Sequence, residues 1–277
     1  MLIIGERINS TRKSVQPAVR EKNADFLIGE ARKQKDAGAD YIDVNVATMG
    51  EEESEYMEWA VKTIQAAVDV PLSIDSPNAR AMEVGLQHHK GTAFLNSITA
   101  ETKKLDSMVP LAREFGANVV ALCLDDDGVP PGAEKRCEIA DRLVTRLTSQ
   151  GIEPDHIYLD PLVFPVSTSS DAGQAVLRTL CYLRDKFPQV HTICGLSNVS
   201  YGLPLRKLLN QAFLLLCMGA GLQSVILDPT DEDLMRLLCA GEALLGRDEF
   251  CARYLQEYRA GRLGEAPEKK QPASGRQ

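Results

Sequence analysis

The chain has 277 residues, 44% of them hydrophobic, enough to fill either one large α/β barrel or two smaller domains. Its formal charge of −8 excludes a broad nucleic-acid or anionic-membrane surface, since both need clustered Lys and Arg, and leaves a small molecule or a protein as the expected partner. No apolar run approaches the ~18 residues of a membrane span, and the start Met1-Leu2-Ile3-Ile4-Gly5-Glu6-Arg7 turns charged too early for a signal peptide, so a soluble cytoplasmic protein is expected.

In chain order, short apolar runs alternate with longer amphipathic ones from the first residue to about 247, the βαβα pattern of a parallel sheet covered by helices. Strands are predicted at 2–5, 41–45, 72–75, 93–97, 118–124, 157–160, 191–196 and 224–228. Helices are predicted at 21–38, 51–68, 78–88, 104–116, 134–150, 171–187, 204–219 and 231–246. Gly38, Gly116 and Gly151 stand where helices close, and Pro71 and Pro188 where helices must already have ended. Eight strand–helix units over ~250 residues match a (β/α)8 TIM barrel. It is assigned to residues 1–258, followed by a Gly-, Pro- and charge-rich tail at 259–277 expected to be disordered.

In such a barrel the active site lies at the C-terminal ends of the strands. Nearly every predicted strand ends on a polar group: Glu6 and Asn9, Asp43 and Asn45, Asp75, Asn96, Asp160, Asn198 after Gly195-Leu196-Ser197, and Asp228. Any one of these residues could be a helix N-cap. Asp228 is left to that role beside Thr230 and Asp231, whereas Asp75, Asn96 and Asp160 would converge on one mouth where burial demands partners. No Gly-x-Gly-x-x-Gly or Gly-Lys-Ser/Thr loop supports nucleotide phosphate binding. His88, His89, His156 and His191 fall away from the mouth, and the seven cysteines form no Cys-x-x-Cys pair, so no metal site is expected and the cysteines read as small hydrophobes. A mouth of carboxylates and carboxamides suits an amino-pyrimidine edge, such as that of a pterin.

Together, Gly5-Glu6-Arg7-Ile8-Asn9, Asp43-Val44-Asn45, Ser73-Ile74-Asp75-Ser76, Leu95-Asn96-Ser97, Asp160-Pro161 and Gly195-Leu196-Ser197-Asn198-Val199-Ser200 resemble the pterin-binding methyltransferase family over about residues 3–247. That family includes methyltetrahydrofolate:corrinoid methyltransferases and the folate domain of cobalamin-dependent methionine synthase. The resemblance implies a barrel of the kind shared with dihydropteroate synthases, usually homodimeric. It also implies that Asp75, Asn96 and Asp160 hold the pterin, that Asn198 on a mobile loop reaches N5, and that Asp75 helps organise the N5 network. Glu6, Asn9, Asp43 and Asn45 are further candidates at the mouth. Tyr201 is a candidate cover for the pterin or contact for the corrinoid, or else a packed loop aromatic; Arg206 either binds the folate glutamate tail or begins a helix.

The implied reaction moves a methyl group between N5 of tetrahydrofolate and the cobalt of a corrinoid. With no Asp-x-His-x-x-Gly corrinoid signature in the chain, the corrinoid is expected on a separate partner protein. The acidic runs Asp125-Asp126-Asp127 and Glu51-Glu52-Glu53 either meet that partner or are solvated loop and helix-terminal charges. The direction preferred is from methylcorrinoid protein to tetrahydrofolate, in catabolism of methylated amines such as betaines. The alternatives are a dihydropteroate-synthase-like condensing enzyme and a non-catalytic folate-binding subunit. The synthase signatures are missing after the first and eighth strands, where this chain has Ile8-Asn9-Ser10-Thr11-Arg12-Lys13 and Ile226-Leu227-Asp228-Pro229.

Overall fold

A computed structural model describes residues 1–264. Eight parallel strands close into a barrel in sequence order: β1 (Leu2–Asn9), β2 (Tyr41–Asn45), β3 (Leu72–Asp75), β4 (Phe94–Thr99), β5 (Asn118–Leu122), β6 (Ile157–Asp160), β7 (His191–Gly195) and β8 (Ser224–Leu227). The helices are α1 (Val15–Arg20), α2 (Ala24–Asp36), α3 (Glu53–Ala67), α4 (Ala79–His88), α5 (Thr102–Phe115), α6 (Ala133–Ser149), α7 (Ala172–Lys186), α8 (Arg206–Ala220), α9 (Glu232–Leu244) and α10 (Ala252–Arg259).

Side chains alternate across a strand, and this alternation divides the core in two. Outward-facing Ile3, Ile42, Leu72, Ile74, Leu95, Val119 and Leu159 pack with the buried faces of the helices. Inward-facing Ile4, Phe94, Val120, Tyr158, Ile193 and Ile226 fill the barrel. Tyr41, Phe94 and Tyr158 form two edge-to-face contacts, with ring centroids 4.8 and 4.6 Å apart, that plug its centre. The mouth therefore stands on an apolar floor.

The punctuation expected at helix ends is present: Gly38, Gly116 and Gly151 adopt φ of 99°, 58° and 85°, the left-handed region that closes a helix. Asn23, Asn78 and Asp231 cap α2, α4 and α9 by accepting backbone N–H bonds.

Three differences from the sequence-based expectation have physical causes. β1 runs four residues beyond its predicted end because a bulge between Gly5 and Ile8 carries the pairing with β2 on to Asn9. The helix expected at 21–38 is two helices, since the Asn23 cap starts a new one. Past 247, α10 packs on α9, and Arg262 ties the following turn down by pairing with Glu257 and by accepting from Arg236 Nε at 3.0 Å. Of the tail expected to be disordered, residues 259–264 are the end of α10 and this turn; residues 265–277 lie outside the described residues.

Candidate active site at the barrel mouth

Strand register assembles the mouth. Asn45 pairs with Asp75 and Asp75 with Asn96, so three neighbouring strands bring these side chains into one row. Each stands two residues beyond an inward-facing position of the layer below: Asn96 above Phe94, Asp160 above Tyr158 and Glu6 above Ile4. A row of polar groups on an aromatic floor is poorly hydrated, and its acids titrate accordingly.

Asp43 and Asp75 form the centre of a hydrogen-bonded cluster. Asp43 Oδ1 accepts from Ser73 Oγ at 2.7 Å and from Asn96 Nδ2 at 3.1 Å, while Asp75 Oδ2 accepts from Asn45 Nδ2 at 2.9 Å. Asn45 is held in turn by the Ala47 N–H on its Oδ1 at 3.1 Å. Burial pushes both acids up: Asp43 well above the usual carboxylate range, helped by the charge of Asp75, and Asp75 to about 6. Two carboxyls that share one enclosed site do not both ionise readily, so Asp43 and Asp75 titrate as a coupled pair. Asn96 gives its amide N–H to Asp43, which leaves its carbonyl as an acceptor at the mouth.

Asp160, 7% exposed, accepts the Leu162 N–H at 2.7 Å and is pushed up to about 7 by burial, against the opposing pull of that bond and of the Gly195 N–H. Leu162 itself has a φ of 64°, a conformation that a branched side chain rarely adopts outside a constrained turn. Asp75, Asn96 and Asp160 all retain acceptor capacity beyond their internal bonds, as a ligand with several N–H donors would require.

The stretch after β7 is a tight 3-10 turn, Leu196–Ser200, pinned by the buried Leu196 and Val199. Arg206 braces it from the start of α8, with Nε donating to Ser200 Oγ at 3.0 Å and Nη2 to the Ser197 carbonyl at 2.7 Å, while its guanidinium lies 6.0 Å from the Tyr201 ring. Ser197 Oγ donates to Glu6 Oε2 at 2.9 Å, and Arg12 holds the other Glu6 oxygen at 3.3 Å. Burial raises the Glu6 carboxyl above its ordinary range. The turn presents Asn198 outward: the residue is exposed and its amide makes no side-chain hydrogen bond among the described residues. Gly195 lies close beside it: a Cβ there would stand 3.2 Å from Asn198 Nδ2, so that any larger residue would shift the amide by a few tenths of an ångström. Tyr201 is 68% exposed, a surface aromatic rather than a packed one.

Not every candidate serves the mouth directly. Asn9 spends its carbonyl on the Thr11 N–H and hydroxyl at 3.0 and 2.7 Å, a local turn. Asp228, read from sequence as a residue near a helix cap, also receives Arg7 Nη1 at 3.0 Å; the α9 cap is Asp231. The acidic runs are partly neutralised: Asp125 and Asp127 pair with Arg142 and Lys135, and buried Glu53 accepts from Ser76. Sequence reasoning did not single out Ser73, Ser197 or Arg12 as site groups. Only Ser73 carried a signal, its place two residues before Asp75 on the same face of β3; the contacts of Ser197 and Arg12 with Glu6 arise from tertiary packing.

A family model described as pterin binding enzyme matches residues 5–228. The methylcorrinoid:tetrahydrofolate methyltransferase of Eubacterium limosum is 36% identical over 266 residues, covering 95% of this chain and 98% of its own length. Methionine synthase of Mycobacterium tuberculosis is 30% identical over 239 residues, spanning 82% of this chain but 20% of that longer protein. Among solved structures, the dihydropteroate synthase FolP of Clostridium difficile, determined in the presence of pteroic acid, superposes with a TM-score of 0.71 at 21% identity, over 88% of this chain and 96% of that one. That last likeness is one of fold alone.

Proposed function

Because the chain belongs to the pterin binding enzyme family, we propose that it is a methyltransferase acting between N5 of tetrahydrofolate and the cobalt of a corrinoid carried by a separate protein. The observation that carries this reading is the end-to-end match with the Eubacterium limosum enzyme, whose name makes the corrinoid the methyl donor. We therefore favour transfer from methylcorrinoid to tetrahydrofolate, and the catabolism of methylated amines such as betaines is the setting we assign to it. A condensing synthase is supported only by fold, and the Asp228-Pro229-Thr230 segment after β8 offers no basic cluster for a pyrophosphate.

The donor set fits a pterin. Acids and amides converge on the mouth, and no group of His, Cys, Asp and Glu able to hold a metal occurs among the described residues. In this reading Asp160, Asn96 and Asp75 accept from the N–H groups of the amino-pyrimidine edge. The partner's corrinoid, when docked at the mouth, would supply the methyl group that N5 accepts. The chain's task is to orient N5, to exclude water and to manage one proton. Asn198 directs its amide at N5, a hydrogen bond that strengthens as charge develops there. Asp75, pushed up to about 6, is poised to relay the proton N5 releases near neutral pH.

A homodimer is part of the same proposal: the outer face of α8 exposes Leu208, Leu215 and Leu216 at 64%, 37% and 57%, an apolar stripe where a barrel helix facing water would be polar. A cytoplasmic setting fits seven free cysteines, and no helix among the described residues is long and apolar enough to cross a membrane.

Titration calorimetry with tetrahydrofolate tests the site. The folded acids have raised pKa values, so they are ionised acceptors above pH 7 and become protonated as pH falls through about 7 (Asp160) and about 6 (Asp75). Affinity should fall across that window. Affinity that stays constant from neutral pH to well below 6 would remove these carboxylates from pterin binding.

A further inference from the structure

Among the buried ionic side chains outside the mouth, one stands apart. Glu30 is held by Arg7 and Lys33, Glu242 by the Met1 amino group and Arg247, Asp125 by Arg142 and Lys135, and Glu53 by the Ser76 hydroxyl. Arg136, on the first turn of α6, is 3% exposed, yet it forms no ion pair among the described residues and its Nε has no hydrogen-bond partner. Its nearest acceptor is the Leu162 carbonyl, 3.5 Å from Nη2, at the far limit of a hydrogen bond. The charge of Asp160 favours the guanidinium from nearby but forms no ion pair with it, whereas buried arginines are ordinarily paired directly.

Arg136 lines a cleft of about 270 Å³ between the β5–α6 and β6–α7 loops. Its other walls include Phe164, Thr168, Ser169, Asp171 and Ala172. The first turn of the 15-residue α7 borders this cleft, and its N-cap Asp171 makes no side-chain cap bond; the Ala172 N–H is taken by the Ser169 carbonyl at 3.1 Å, which leaves those of Gly173 and Gln174 without a partner among the described residues. Asp171 is the one acid on the lining. The cleft adjoins the mouth through Leu162, whose carbonyl faces Arg136 and whose N–H is bound to Asp160.

We propose that this cleft is an oxyanion subsite, with Arg136 and the start of α7 receiving a carboxylate or phosphate group of a substrate whose ring occupies the mouth. A guanidinium fork and free helix N–H groups are matched to either anion. Two substrates of the proposed reaction bring that chemistry: the glutamyl carboxylates of tetrahydrofolate and a phosphate on the corrinoid's nucleotide arm. Identification of the source rests on the functional reading above; the existence of the site does not.

Binding of p-aminobenzoylglutamate and of inorganic phosphate, each alone, to the full chain by calorimetry and thermal shift tests the proposal. We expect at least one probe to bind, with affinity reduced about tenfold or more in Arg136→Gln, as loss of a charge-assisted hydrogen bond implies. Asp171→Asn should bind the same probe more tightly, a gain that a misfolded variant could not give. Binding of p-aminobenzoylglutamate assigns the subsite to the folate tail, and binding of phosphate alone assigns it to the phosphate arm. No binding of either probe up to ~10 mM, or affinities insensitive to both substitutions, overturns the proposal. A tail-less tetrahydropterin, measured in parallel, reads the mouth separately. Its failure to bind would count against the pterin reading without touching the oxyanion result.

Discussion

In the proposed reaction, Asn198 is the residue that would face N5. It is exposed, its amide is not spent on an internal side-chain hydrogen bond among the described residues, and it lies against a glycine that leaves it room. A neutral hydrogen bond in the ground state is worth about 0.5–1.5 kcal/mol, but one that strengthens in the transition state is worth more. Asn198→Ala should therefore leave tetrahydrofolate affinity within a few-fold of the parent while lowering single-turnover methyl transfer by about 100-fold, the scale seen when one hydrogen-bonding group that acts in the transition state is removed. A rate unchanged by the substitution would take Asn198 out of the reaction. At this scale the sequence was readable where a polar residue ended an apolar strand, as with Asp75, Asn96 and Asp160. It was mute on Arg12 and Ser197, because the distance between Glu6 and Ser197 in the chain, 191 residues, hides a 2.9 Å contact.

At the level of elements, the turn after β7 proves more braced than a glycine-bounded loop implies. Arg206, at the first position of α8, grips the turn at Ser197 and Ser200. These bonds suit Arg206 to a positioning role, and the proposed subsite beside Arg136 is a second place for a carboxylate tail. Arg206→Ala should lower kcat several-fold with less change in KM, and Arg206→Lys should restore only part of it, since an ammonium lacks the planar fork that reaches both serines. Wild-type kinetics in Arg206→Ala would mean the turn needs no brace. The strand–helix alternation was legible throughout because buried parallel strands read as short apolar runs. The bulge in β1 was not, since it is defined by pairing with β2, a strand about forty residues away; nor was the packing of the Gln34 side chain into the space that Gly5 leaves beside it. Likewise α10 was missed: Tyr254, Leu255 and Tyr258 recur at helical spacing, but over eight residues and with none of them fully buried the signal is short.

Over the whole molecule, the closed barrel followed from counting eight units, whereas assembly with other chains is carried only by surface chemistry. If the apolar face of α8 is covered by a second copy, Leu216→Glu should shift the sedimentation coefficient from dimer to monomer; a parent protein already monomeric at micromolar concentration would leave that face without this role. The central claim is methyl transfer itself, and its most direct test is a single anaerobic mixing experiment. The protein is combined with methylcobalamin, as a free corrinoid substrate, and tetrahydrofolate; cobalt absorbance and 5-methyltetrahydrofolate are followed together. The account predicts protein-dependent loss of methylcobalamin, matched mole for mole by 5-methyltetrahydrofolate. Tight tetrahydrofolate binding with no methyl transfer in either direction would contradict it.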